Sequence, residues 1–349
     1  MTVVLDLPGP ALHEIPEALV PREPRLGGAA VPVPAARLAA LASTGTVLLG
    51  RSPDDRHLRE FRASVVAEAR DLFRVPDGHT LTVVAARPAR LCRLTAAEPW
   101  ASGLAVTGDG PRAAAWRAAA TTGRETDAPA PFAVVADEDP RWWDRLAAVP
   151  AGTWRAAELS GTAEVLTGRG VRDTDVAFLC PSGLLGVGTG LTVAVLSPRA
   201  ASASPGLARA LDAAGAAVGT GDLVMFAHAV RAMAESDPES DAADRAARRT
   251  LVAGWAATRD WVTAPAARVG DTLTVRLVTG LPPATVAGLG RYLEAAHLAY
   301  GLTDPADPQA LRIGLYDSLR LADIERLLGL LDFLVARLPH TTHPVQEGR

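Results

Sequence analysis

The sequence predicts an α/β chain in which a mostly parallel sheet is covered by helices on both faces and is followed by a smaller α/β domain. Two observations carry this. Between residues 80 and 196, short apolar runs rich in valine, leucine and alanine alternate with stretches of helical period. Within them, 175–197 (DVAFLCPSGLLGVGTGLTVAVLS) reads as two buried strands joined by a loop, because Pro181, Gly183, Gly186, Gly188 and Gly190 deny a helix between the runs.

Residues 1–34 are proline-rich and carry no sustained period, which predicts an arm lying over the body or over a partner subunit. Helices follow over 35–42 and 55–73; in the second, Leu58, Phe61, Val65, Ala69 and Leu72 recur at helical spacing. Pro76-Asp77-Gly78 makes a turn. Strands are expected at 80–85, 104–107, 132–136, 154–158, 176–180 and 191–196, with helices at 111–120 and 140–148. From 206 to 234 the pattern is helical, the polar 236–244 reads as a solvated bend, and a helix over 245–262 leads into the small domain. That domain has strands at 272–278 and 311–316 and helices at 283–300 and 321–338. The expected organisation is an arm (1–34), a large domain (35–244), a small domain (245–340) and a disordered tail (341–349).

A chain of 349 residues is long for one core, and 48% hydrophobic with 21% charged residues are globular values, so a sizeable core is expected. The formal charge of -4 and the scattered arginines argue against nucleic acid as a partner. No apolar run reaches the roughly 18 residues of a membrane span, and the N-terminus lacks the basic start of a signal sequence. Cys92 and Cys180 lie far apart without metal-ligand spacing, and the tail histidines are isolated, so a cytoplasmic protein without disulfides or a metal site is expected. All 35 residues of the lysine and arginine class are arginine.

The central segment resembles the active-site segment of the phosphoserine aminotransferase family, in the class V group of fold-type I pyridoxal-phosphate enzymes. There a strand leads through FAPQK into a glycine-containing turn, and the next strand ends in SP. Here LCPSG stands for FAPQK, and Ser197-Pro198 closes the match. Residues 59–84 (REFRASVVAEARDLFRVPDGHTLTVV) resemble the family's first long helix, its PDGY-type turn and its first strand. Residues 309–338 (QALRIGLYDSLRLADIERLLGLLDFLVARL) resemble its C-terminal strand and helix. The likeness covers most of 25–339. It implies a fold-type I large domain with a mostly parallel, seven-stranded-type sheet, a small C-terminal α/β domain and a two-fold dimer.

Residue by residue, the resemblance implies an altered site. The Schiff-base lysine, which holds the cofactor as an imine and shuttles the substrate proton, falls on Gly183, and a lysine-free chain allows no shifted alignment. The family's GG and TT phosphate cradle falls on Ala86, Arg87, Pro88 and Ala89, where proline removes an amide donor; Arg87 is either an anion contact or a solvated arginine. The aromatic that stacks on the cofactor ring falls near Gly110. The aspartate that pairs with the pyridine nitrogen falls on Leu159, and Glu158 beside it points to the opposite face and reads as an exposed strand-end carboxylate. The HR pair for the substrate phosphate falls near Pro53 and Asp54, with Arg51 and Arg56 close in sequence. Arg312 keeps the family's carboxylate-clamping arginine and reads as that clamp or as a structural ion pair. Thr220 stands where the family's NTP segment reaches the partner's phosphate site, or simply caps a helix. Cys180 and Ser182 flank the lysine position as candidate nucleophiles, yet His79, His228 and His297 show no spacing to either, and the other reading of Cys180 is a buried structural thiol.

These residues predict a non-transaminating protein, without lysine-dependent pyridoxal-phosphate chemistry, that serves as a small-molecule-binding, regulatory or partner subunit. It would act as a homodimer or beside an active aminotransferase-like paralogue. The alternative is a repurposed, pyridoxal-phosphate-independent enzyme of specialised metabolism acting on a small carboxylate-bearing, amino-acid-like substrate. Arg312, Ser182, Arg87 and Thr220 are the ligand-binding candidates, and no catalytic residue is assigned. No covalent cofactor is expected, and non-covalent pyridoxal phosphate is disfavoured but open.

Overall fold

Asp55 sets the start of the first long helix, its carboxylate accepting the amides of His57 and Leu58 at 2.9 and 3.3 Å, while Leu58, Val65 and Ala69 turn one face inward. The structure is a computed structural model describing residues 12–27, 33, 35–52, 55–108, 111–120, 131–136, 141–187, 190–263, 273–304 and 307–338. In it α1 (Ala35–Leu48) runs past the expected residue 42, and α2 (Arg56–Leu72) follows. Then come β1 (Thr80–Val84), α3 (Pro88–Ala96), β2 (Ala105–Thr107), α4 (Pro111–Ala120), β3 (Phe132–Val135), α5 (Trp142–Ala148), β4 (Arg155–Glu158) and β5 (Val176–Leu179). A single turn, α6 (Ser182–Leu185), separates β5 from β6 (Thr192–Leu196) and corrects the expectation of a helix-free loop. Pro181 stands ahead of that turn and Gly186, at φ 58, closes it; such residues limit a helix by forming its ends rather than forbidding it.

The first sheet has the order β1-β6-β5-β4-β3-β2, six strands among the described residues against the seven of the family pattern. β2 to β5 pair in parallel, and β6 pairs antiparallel with both β5 and β1. Every residue of β5 and β6 is buried, the reason both read as continuous apolar runs. One face packs Val135, Ala156 and Phe178 against Leu91, Cys92 and Trp116 of α3 and α4; the other sends Val134, Leu159, Leu179 and Val193 into the main core.

The helical stretch expected over 206–234 is two helices, after a short α7 (Pro198–Ala203): α8 (Pro205–Ala216) and α9 (Thr220–Ala234), bent by 98°. Most of the expected solvated bend over 236–244 belongs instead to α10 (Pro238–Ala257). Asp237 accepts the Glu239 amide at 3.1 Å and Pro238 fills the first turn, so the polar residues open the helix rather than interrupt the chain. The expected domain boundary at 244/245 therefore falls inside α10. The second sheet, ordered β7-β8-β10-β9, is wholly antiparallel. It comprises β7 (Val262–Thr263), β8 (Thr274–Thr279), β9 (Thr303–Asp304) and β10 (Asp307–Gly314), with α11 (Pro283–Ala295) and α12 (Leu321–Val335).

The described part of the N-terminal arm lies on this second sheet of its own chain. The Gly27 amide donates to the Tyr300 carbonyl at 3.0 Å, the Gly314 amide to the Leu26 carbonyl at 2.7 Å, and the Arg22 amide to Asp323 at 2.8 Å. A β-carbon on Gly27 would lie 2.1 Å from the Gly301 carbonyl carbon, so only glycine permits the approach. Among the described residues no single helix is long and apolar enough to cross a membrane.

Candidate functional site

In a sheet of this kind ligands bind beyond the carboxyl ends of the parallel strands. Those ends bring together the start of α3 after β1, the start of α4 after β2, Glu158 at the end of β4, and α6 after β5. Gly183, the position of the family lysine, lies in α6. A β-carbon there would meet Tyr316 Cε1 and Leu273 Cδ1, each at 3.3 Å. A β-carbon on Gly314 would lie 2.5 Å from Tyr316 Cε2, on the other edge of the ring. The buried Tyr316 ring therefore fills a slot whose two walls are glycines.

Glu158 corrects an expectation. It points away from the face of Leu159, as strand alternation requires, yet it is 1% exposed rather than a solvated strand end. Its carboxylate accepts Trp116 Nε1 at 3.0 Å, receives the Cys92 thiol at 3.7 Å and lies 3.6 Å from Arg112 Nε. The cover that buries it comes from α3 and α4, far away in sequence. Burial, and next the Glu158 charge, push the Cys92 thiol far above the ordinary cysteine range, so it stays protonated. The hydroxyl of Ser160 points to Glu158 at 3.5 Å and accepts the Cys180 amide at 2.9 Å, and Cys180 Sγ lies 3.2 Å from Ser182 Oγ. A polar chain thus runs from β4 to α6.

The four predicted ligand residues fall as follows. Ser182 is buried at the first position of α6. Arg87 is exposed at the start of α3 and makes no capping bond through its side chain. Thr220 opens α9 without capping it: the cap position is Gly219, whose backbone is extended, so the capping role expected of Thr220 is absent. Arg312 is half-buried on β10, directly across from Arg276. Arg276 is held by Asp304 at 3.1 Å and by Asp307, whereas among the described residues the Arg312 guanidinium has no hydrogen-bond or ion-pair partner. Arg312 and Gly314 share one face of β10, and Tyr316 covers Gly314 there.

Pro53, Asp54 and Gly110 lie outside the described residues. Arg51 is engaged by Asp55 at 3.1 Å and Arg56 by Glu60 at 2.7 Å. Sequence reasoning missed Tyr316 and Trp116. Each had a signal: Tyr316 continues the alternation from Arg312, and Trp116 is a lone large ring on the alanine-rich helix PRAAAWRAAA.

No protein-family model matches the chain, and no curated protein matches it in sequence. Solved structures do. A phosphoserine aminotransferase from Cytophaga hutchinsonii superposes with TM-score 0.71 at 11% identity, over 88% of this chain and 97% of that one. Phosphoserine aminotransferase from Trichomonas vaginalis, solved with bound pyridoxal phosphate, gives 0.65 at 11% identity over 88% and 98%. An aspartate aminotransferase of subgroup IV from Thermus thermophilus gives 0.65 at 18% identity over 90% and 99%. Identities at this level speak for fold alone: the chain has the fold of the phosphoserine aminotransferases and their fold-type I relatives.

Proposed function

We propose that this chain is an aminotransferase-fold protein that does not transaminate and that holds a small carboxylate ligand on Arg312 as a binding or regulatory subunit. The observation that carries the reading is the Tyr316 ring set between Gly183 and Gly314, where the stem of a lysine would have to begin. The residues at the strand ends do not fit a cofactor held as an imine. The chain has no lysine, the slot is filled, and the Glu158 carboxylate is turned toward α3 and α4 and engaged there. Cys180 and Ser182 contact each other, and no histidine is bonded to either among the described residues, so an activated nucleophile is not assembled.

Arg312 supports the ligand half of the reading. An unengaged guanidinium beside one already neutralised by two aspartates favours an anion, and a bidentate carboxylate contact is worth about 1.5–3 kcal/mol, roughly ten- to a hundredfold in affinity. Leu38 and Val47 of α1 and the adjacent Leu49 are 55%, 63% and 52% exposed, which supports pairing with a second copy or with an aminotransferase-like paralogue. Both cysteines are free thiols, which suits a reducing cytoplasm.

The test has two arms. Protein incubated with pyridoxal phosphate, reduced with borohydride and weighed should show no pyridoxyl adduct; an adduct within 180–190 overturns the loss of lysine-type chemistry. A carboxylate library screened by thermal shift should stabilise the wild type but neither Arg312→Lys nor Arg312→Ala, since lysine keeps the charge and loses the fork. A flat response in the wild type removes the ligand half, and turnover of a stabilising ligand decides for the repurposed enzyme.

A further inference from the structure

A second cleft, of about 420 Å³, opens where the C-terminal ends of α2 and α9 meet the first turns of α10. It lies at the opposite edge of the sheet from Gly183, because Arg74 on its rim precedes β1 and so stands where the parallel strands begin. Its volume is that of a site for a small organic molecule. Leu72, Leu166, Val230 and Met233 supply an apolar floor.

Its charged groups divide into two sets. Glu68 and Arg231 satisfy each other through two bonds of 2.7 and 2.8 Å, and Arg245 is engaged by Asp317 at 2.8 Å. Asp71, Asp241 and Arg74 make no side-chain hydrogen bond or ion pair among the described residues. The cleft therefore offers two unengaged carboxylates and one unengaged guanidinium around apolar surface. The C-terminal ends of α2 and α9 turn the negative ends of their dipoles to the cleft and the first turn of α10 turns its positive end there, so both poles of a zwitterion find a match.

Arg74 carries a separate mark of use. The Val75 amide donates to the Arg70 carbonyl at 2.9 Å and the Arg74 amide to that of Asp71 at 3.1 Å, the reverse turn that ends many helices. The residue at its centre is ordinarily glycine, yet here an arginine is held at φ 49. A strained backbone that keeps a charged side chain at the mouth of a cleft points to a function for that side chain.

We propose that this cleft binds an apolar α-amino acid, with its ammonium between Asp71 and Asp241, its carboxylate on Arg74 and its side chain on the apolar floor. The site is independent of Arg312. The full-length protein is titrated calorimetrically with L-leucine and L-methionine, and with L-leucinamide and 4-methylpentanoate, which lack the carboxylate and the amine respectively. Leucine or methionine should bind, and each truncated probe should bind about ten- to a hundredfold more weakly. Arg74→Gly and Asp241→Asn should weaken binding by a similar factor, while Arg74→Gly leaves the melting temperature unchanged or raised, because glycine is at ease in that turn. Arg312→Ala should bind as the wild type does. Absence of heat from both amino acids overturns the proposal, as does binding that survives either Arg74→Gly or Asp241→Asn, or binding lost with Arg312→Ala.

Discussion

Replacing Gly183 by lysine tests whether the space beside Gly183 is open or filled. The first carbon of the new side chain would lie 3.3 Å from Tyr316 Cε1 and from Leu273 Cδ1, so both neighbours must give by a few tenths of an ångström before the stem is accommodated. The ring cannot retreat toward the sheet, because its other edge already lies where a β-carbon of Gly314 would be, 2.5 Å from Cε2. Overpacking of a closed site costs about 1–3 kcal/mol. At roughly 2–4 °C per kcal/mol for domains of 150–250 residues, Gly183→Lys should melt about 2–12 °C below the wild type. Tyr316→Ala alone should cost about 3–5 kcal/mol as a large buried ring is lost. In Gly183→Lys/Tyr316→Ala the lysine stem enters the vacated volume, so the two losses should fall short of their sum by about 1–3 kcal/mol in a double-mutant cycle. Additive losses, or a Gly183→Lys protein as stable as the wild type, would refute the filled slot. Glutamate-dependent turnover should also be absent from Gly183→Lys, since orientation and electrostatic preorganisation supply most of such a rate and the Glu158 carboxylate is committed elsewhere.

Glu158→Ala should destabilise by about 3–5 kcal/mol in chemical denaturation because it strands the buried Trp116 Nε1 and removes the carboxylate that Cys92 and Arg112 face. Glu158→Gln, which keeps an acceptor for Trp116, should cost about 1–3 kcal/mol; equal losses would show that the hydrogen bond is irrelevant. In the folded protein at pH 8 a thiol alkylating agent should label Cys180 well before Cys92, whose thiol is held protonated by burial and by Glu158; equal rates contradict that environment. The hydrogen bond from Arg231 holds the Glu68 carboxyl below its usual 4.5. A depressed acid contributes its stability in full above the unfolded pKa and loses it as pH falls through the folded one. Arg231→Leu should therefore lower stability at pH 7, by under about 1 kcal/mol for so exposed a pair, and converge with the wild type in acid; a pH-independent loss would exclude the linkage.

The parts of the fold legible in the sequence are those fixed by neighbours close in the chain. β5 and β6 announced themselves because burial on both faces leaves no polar position in the run. The α2 period and its Asp55 cap were equally local. The misread segments are those where one residue type serves two uses: the acidic 236–244 looked like a bend but caps and opens α10, and the glycines and proline around Ser182 looked like a loop but bound one helical turn. At the site, alternation correctly put Glu158 opposite Leu159 but could not say that α3 and α4 would cover that face. Likewise nothing near Gly183 in sequence names Tyr316, which arrives from the far end of the chain after β10.

The residues at the strand ends form one packed, hydrogen-bonded interior. Here the slot holds a ring, and Glu158 sits on the other face, tied to Trp116, Cys92 and Arg112 and linked through Ser160 and Cys180 to Ser182. A buried carboxylate with several donors is costly to disturb, so the network fixes the ends of β4 and β5 in place beside α6. What stays unengaged on this side of the molecule is different in kind. Among the described residues the Thr107 hydroxyl at the end of β2 has no partner, and neither does the Arg312 guanidinium on β10. A hydroxyl and a guanidinium left without protein partners are the kinds of donor that the proposed carboxylate ligand would use, and the thermal-shift comparison of Arg312 variants tests that use directly.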